Sequence, residues 1–161
     1  MTERDHRARL WLFGGLTAAI MLMIFLFSAQ DATKSKDLSD GFLSSLLGAF
    51  LERFLPALSE KGMQADIRKY AHMAEYFCLG TSSFLFFSEL TRWQGRIRAA
   101  LLAFACCFLY ACSDEVHQIF VPGRAGRFTD VLIDGVGFCA GILMLLLIRW
   151  IVEKKREEKR E

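Results

Sequence analysis

From Leu10 to Gln30 the chain reads LWLFGGLTAAIMLMIFLFSAQ, 21 residues without a formal charge. A hydrocarbon core of about 30 Å is crossed by roughly 20 helical residues, so this stretch predicts a membrane span on its own. Its apolar part exceeds the h-region of about 7 to 15 residues in a secretory signal. Neither Phe27-Ser28-Ala29 nor Gln30-Asp31-Ala32 offers a good small-x-small cleavage site, and the stretch is read as a retained anchor. Three further apolar blocks are charge-free only in their centres: Tyr76 to Ser88, Ala99 to Ser113 and Gly135 to Ile148. Each reaches spanning length once its polar end is included, and a costly charged end is itself a mark of functional spans.

The expected fold class is therefore all-α: a polytopic membrane helical bundle with four transmembrane helices, spans at about 10–28, 70–90, 99–117 and 130–151. One domain covers 1–151, and 152–161 is a charged cytoplasmic tail. Between the first two spans, Leu38, Phe42, Leu46, Phe50 and Phe54 recur at helical spacing with Pro56 as a stop. They predict an amphipathic outer helix over about 39–55, either packed on the bundle or lying in the headgroup layer.

The composition agrees with this layout. Of 161 residues, 53% are hydrophobic, 15 are Phe and 24% are charged, so the charges must be segregated between apolar blocks. A net charge of +2 supplies no basic field for nucleic acid, and the absence of a Gly-rich phosphate loop disfavours a soluble nucleotide-binding enzyme. The five cysteines, Cys78, Cys106, Cys107, Cys112 and Cys139, all lie in apolar stretches and read as small buried hydrophobes. Gly137 and Gly141 form a small-xxx-small pair suited to close helix packing.

Cations near span ends stay on the cytoplasmic side. Arg4, Arg7 and Arg9 precede the first span, Arg92, Arg96 and Arg98 fill the loop between the second and third, and six more follow the fourth. Both termini are thereby expected in the cytoplasm. The polar ends of the last three spans then meet at the outer face. His72, Glu75 and Tyr76 share a stripe of the second span, Asp114 faces His117 and Gln118 on the third, and Asp130 and Asp134 lie one turn apart on the fourth. Asp134 sits roughly 6 Å deeper than Asp130, where it must be paired, metal-bound or neutralised. The loop Val121-Pro-Gly-Arg124-Ala-Gly-Arg127 presents two arginines on a Gly-containing turn, a cradle for phosphate or carboxylate. Internal salt bridges that fix the bundle are the plain alternative for any one of these groups. Burying all of them at one face is expensive, which favours a site.

Phe27-Ser28-Ala-Gln30, Arg68-Lys-Tyr-Ala-His72-Met-Ala-Glu75-Tyr76, Tyr110-Ala-Cys-Ser-Asp114-Glu115-Val-His117-Gln118 with Val121-Pro-Gly-Arg124, and Asp130-Val-Leu-Ile-Asp134-Gly-Val-Gly137 together resemble the VanZ-like membrane proteins. The resemblance runs from about Leu10 to Ile148. It implies an association with glycopeptide (teicoplanin) resistance and, through broader fold comparisons, kinship with membrane enzymes that modify lipid head groups. The polar positions it implies are Ser28, Gln30, Arg68, His72, Glu75, Asp114, Glu115, His117, Gln118, Arg124, Asp130 and Asp134.

The first expected function is an enzyme, hydrolase or transferase, acting at the outer leaflet on a phosphate-linked lipid head group or lipid-linked cell-envelope precursor. His72 or His117 would serve as general base or nucleophile, and Glu75, Asp114 or Glu115 would orient the imidazole. Asp130 and Asp134 would complete that catalytic network, while Arg124, Arg127 and Arg68 would hold phosphate, with Tyr76, Gln118, Ser28 and Gln30 contributing to binding. No cofactor is named by the residues, although two histidines and several carboxylates at one depth would suit a divalent metal. The expected partners are membrane lipids and a lipid-linked substrate, with no nucleic acid and no oligomeric state set. A second function from another class is a non-catalytic protein that sequesters a glycopeptide or lipid precursor. A proton or ion pathway ranks last, since no polar relay continues past Phe84 to Phe87 or Leu143 to Ile148.

Overall fold

The structure, a computed structural model, describes residues 2–29, 63–92, 94–122, 124 and 126–160, and for 63–69 it describes the helical path alone. Four helices follow in order: α1 (Glu3–Ser28), α2 (Met63–Leu90), α3 (Arg96–Ile119) and α4 (Phe128–Glu157). Among the described residues there is no strand. The amphipathic helix expected over 39–55 lies outside the described residues.

By length and composition α1, α3 and α4 are each apolar enough to cross a membrane. Only 11% of the most apolar window of α1 is buried inside the protein. Trp11, Leu101, Leu109, Leu143 and Leu147 likewise face outward. In water each such side chain would forgo about 1.5–3 kcal/mol of burial, so this is the surface of a membrane protein.

α2 differs in composition and in place. His72, Glu75 and the hydroxyls of Thr81, Ser82 and Ser83 interrupt its apolar run. It occupies the centre, packing on α1, α3 and most extensively on α4. Ser82 and Ser83 are buried there, and the Thr81 hydroxyl donates to its own helix at the Phe77 carbonyl, 2.8 Å away. Such internal bonds satisfy polar atoms that have no water nearby.

The helices approach closely because small residues line their seams. A β-carbon on Gly137 would run into the Met73 carbonyl, and one on Gly141 into the Phe77 carbonyl, so this pair joins α4 to α2 as the spacing leads one to expect. Gly80 completes the seam from the other side, against the backbone of Phe138. On α3, Ala99, Ala103, Cys107 and Ala111 recur every four residues and are all buried. The thiol of Cys107 lies 3.6 Å from Ser83 Oγ and donates to it. All five cysteines are free, but only Cys107 is buried. The exposed Cys78 and the half-buried Cys106, Cys112 and Cys139 correct the expectation of uniform burial. An apolar helix in a bilayer has outward positions that suit a thiol without burying it in protein.

The helix ends are set by local chemistry. Thr2 caps α1 in a reciprocal box: its hydroxyl accepts the Asp5 N–H at 3.2 Å, and the Asp5 carboxylate accepts the Thr2 N–H at 3.0 Å. The Thr2 side chain, then its N–H, hold the Asp5 carboxyl below the usual carboxylate range. α3 begins after Gly95, whose φ of 89° is a left-handed value that side-chain-bearing residues resist. At this end of the bundle His6 Nε2 lies 3.0 Å from the Glu89 carbonyl, Arg9 sits 3.7 Å from the Glu89 carboxylate, and Arg96 pairs with Glu153.

Midway along the bundle the Tyr110 hydroxyl donates to the Met21 carbonyl, fastening α3 to α1. Tyr110→Phe is expected to lower stability by about 1 kcal/mol, the net worth of one such bond, read as a fall in melting temperature in detergent. An unchanged melting temperature would show that α1 is held by apolar packing alone.

Candidate functional site

The opposite end of the bundle gathers the polar groups. His72 and Glu75 lie on adjacent turns of α2, and Tyr76 beside them is fully buried. Asp114, Glu115 and Gln118 continue the buried face of α3 below the Ala and Cys stripe. Asp134, 1% exposed, enters from the first turns of α4. Ser28, at the last turn of α1, is also fully buried.

Across the α2–α4 seam His72 Nδ1 and Asp134 Oδ1 stand 3.9 Å apart, an ion pair whenever the imidazole is protonated. Gln118 Nε2 bridges α3's own acids, 3.0 Å from Asp114 Oδ2 and 3.4 Å from Glu115 Oε1. Glu115 Oε2 accepts the backbone N–H of Arg127 at 2.8 Å, so this carboxylate staples the α3–α4 loop at the start of α4. Gly126 is needed beside it, because a β-carbon there would strike the Glu115 carbonyl. Arg124 Nη2 donates to the Phe27 carbonyl at 3.0 Å, which ties the loop to the end of α1. The electrostatic neighbours of Glu75 are Asp114 and Arg124. Those of Asp134 are Asp114, Glu115, Asp130 and Glu75.

Unmet hydrogen-bonding capacity is concentrated at this end, with Ser88 Oγ the one further orphaned atom among the described residues. Ser28 Oγ, Glu75 Oε2, the Tyr76 hydroxyl, Asp114 Oδ1, His117 Nε2 and Asp134 Oδ2 are all buried, and none has a hydrogen-bond partner among the described residues. Each orphaned buried polar atom costs about 1–3 kcal/mol, more when charged. A bundle shaped for stability alone would not concentrate six of them in one place.

The residues singled out in the sequence thus divide. His72, Glu75, Tyr76, Asp114, Gln118, Asp134, Ser28 and Arg124 come together. His117 flanks them, its ring 4.6 Å from that of Phe25. Asp130 is half-buried on the first turn of α4, where the Thr129 hydroxyl reaches it at 3.4 Å. The Arg127 side chain is exposed, and its backbone is the part bound at the site. Gln30 and the Arg68 side chain lie outside the described residues. Among the described residues no three of His, Cys, Asp and Glu are grouped to hold a metal ion.

Sequence reasoning left three participants unassigned. Phe25 and the Phe27 carbonyl bind His117 and Arg124, and Tyr110 stands with its ring 6.3 Å from Tyr76. Phe27 and Tyr110 open two of the quoted motifs and Phe25 lies just before one, so position was their signal.

Nothing among the curated proteins or the solved structures matches the chain. The family model described as VanZ/LLP1 matches residues 13–149, which takes in α2 and α3 whole, most of α1 and α4, and every polar group just described. The chain belongs to the VanZ/LLP1 family.

Proposed function

We propose that the protein is a membrane enzyme that modifies a phosphate-containing lipid head group, or a lipid-linked cell-envelope precursor, at the outer leaflet. The observation that supports this most is the set of six buried, unpartnered polar atoms at one end of the bundle. In this reading α2 is the fourth span, kept in the bilayer by its partners because its polar side chains face them. The cation distribution supports a topology with both termini in the cytoplasm and the polar end outside.

Each group then has a chemical task. His72, held toward Asp134 at 3.9 Å, acts as general base or nucleophile, and Asp134 keeps the ring oriented and stabilises its charged form. Arg124, anchored on the Phe27 carbonyl, brings positive charge to the phosphate. Asp114 on α3 adds negative charge beside Glu75 on α2, while Glu115 positions the loop rather than the imidazole.

A second reading is a non-catalytic protein that binds a glycopeptide or lipid precursor. Buried acceptors such as Asp114 Oδ1 and Asp134 Oδ2 favour it, since an unpartnered acceptor suits recognition of a bound donor without any bond being broken. The family's link to teicoplanin resistance fits either reading.

Comparative lipidomics, including lipid-linked wall precursors, separates them when cells express wild type, His72→Ala and Asp114→Ala at matched levels. A head-group species that changes with wild type and reverts in both variants is the expected result. No change in any lipid, with glycopeptide protection scaling with expression, would replace catalysis by binding.

A further inference from the structure

Half of the six orphaned atoms at the polar end share one polarity. Three are carboxylate oxygens, Glu75 Oε2 from α2, Asp114 Oδ1 from α3 and Asp134 Oδ2 from α4. Asp114 and Asp134 are 3% and 1% exposed. An ionised carboxylate only accepts hydrogen bonds, and the accompanying Ser28 and Tyr76 hydroxyls can do the same. The missing complement of these three oxygens is therefore a hydrogen-bond donor.

Charge narrows the class. Among the described side chains at this end there are five carboxylates, those of Glu75, Asp114, Glu115, Asp130 and Asp134. The cations at this end are the Arg124 guanidinium, the exposed guanidinium of Arg127 and, when protonated, the imidazoles of His72 and His117, still fewer than the acids. A sugar hydroxyl would supply hydrogens without offsetting this excess. A metal ion would offset it, but it draws its oxygen ligands in to about 2.0–2.6 Å and no three of the described acids and histidines are grouped for that, whereas an ammonium is held by longer hydrogen bonds of about 2.7–2.9 Å. A quaternary ammonium carries charge and no N–H. A primary ammonium has charge and three donors, matching three orphaned carboxylate oxygens. His72, Glu75 and Arg124 are half-buried, so this end is not sealed from a ligand.

Resting on the reading that the site takes a phosphate-containing head group, we propose that this head group also bears a primary amine: its ammonium is received by Glu75, Asp114 and Asp134, and its phosphate lies toward Arg124. This is a phosphoethanolamine-type ligand.

The test uses the full chain in nanodiscs of phosphatidylglycerol doped equally with phosphatidylethanolamine and phosphatidylcholine, with bound lipid counted by native mass spectrometry. Wild type is expected to retain phosphatidylethanolamine over phosphatidylcholine by about 10-fold or more, the worth of one charge-assisted hydrogen bond. That preference should fall to near unity in Asp114→Asn and in the half-buried Glu75→Gln, persist in Glu89→Gln at the far end, and survive in Arg124→Gln with both lipids weakened. Water-soluble phosphoethanolamine that competes would show that the free head group suffices. Failure to compete, with the preference intact, would assign the ligand to the lipid. Equal retention of the two lipids with the Arg124 dependence intact overturns the amine and leaves the phosphate reading standing. Retention indifferent to both the amine and Arg124 overturns the two together.

Discussion

Gly137→Leu is expected to leave little folded protein, with a loss of about 3 kcal/mol or more, at the upper end of the usual cost of overpacking. The obstacle is main chain: the first added carbon already meets the Met73 carbonyl and lies 3.1 Å from the Met73 carbonyl carbon and 3.2 Å from the Phe77 nitrogen. A flexible neighbour would swing aside, but the backbone of α2 can yield only by moving the whole helix. Gly80→Leu strikes the Phe138 backbone and should behave alike. Gly15→Ala is the counter-test, since nothing lies within 4 Å of its added carbon. Ala is favoured over Gly inside a helix by about 1 kcal/mol, so this variant should melt at or above wild type. Size-exclusion profiles and melting curves in detergent report all three. A Gly137→Leu protein that melts within a few degrees of wild type would show that α2 and α4 are not interlocked.

Asp134→Asn is expected to lower turnover by about 10²- to 10⁴-fold, the span of general acid–base assistance, while melting no lower than wild type. A carboxylate that is 1% exposed, with one oxygen unpartnered and the other 3.9 Å from His72, contributes little to the fold. Replacing it by a neutral amide of the same shape relieves a buried charge. Function would fall because the imidazole loses the group that orients it. The opposite pattern, a lower melting temperature with activity unchanged, would make the His72–Asp134 pair a structural tie and return the site to architecture. His72→Ala should match Asp134→Asn in activity, and the double variant should cost no more than either alone, as residues acting as one unit do.

Much of this was legible in the sequence because charge-free runs announce themselves. α1 and α4 follow from runs such as Leu10 to Gln30 and Gly135 to Ile148. The alternating direction of the spans led one to expect their polar ends together, and His72 stands 3.9 Å from Asp134 while Gln118 bonds Asp114. α2 was harder: its helix starts at Met63, well before the expected beginning at residue 70, because polar residues that hydropathy treats as an end continue the same helix. Partnership was not legible at all. Glu115 is read from spacing as a companion of an imidazole, yet both its oxygens serve Gln118 and the Arg127 N–H. Arg127 is read as a phosphate ligand, yet it contributes main chain and leaves its guanidinium exposed. Gly80 escaped because one glycine has no spacing, whereas Gly137 and Gly141 make a pattern. Spacing along one helix says which side chains share a face, but not which neighbour occupies it.

The central placement of α2 also bears on how the protein is made. α2 is synthesised second, yet the helix it shares the most surface with, α4, is synthesised last. Until α4 leaves the ribosome, His72 has no Asp134 before it, and Gly80 has no Phe138 backbone against it. A nascent α2 must therefore wait, shielded by α1 or by the insertion machinery, with its polar stripe uncommitted. Chains that stop before α4 hold the least apolar helix without its mate, and quality-control proteases would meet them first.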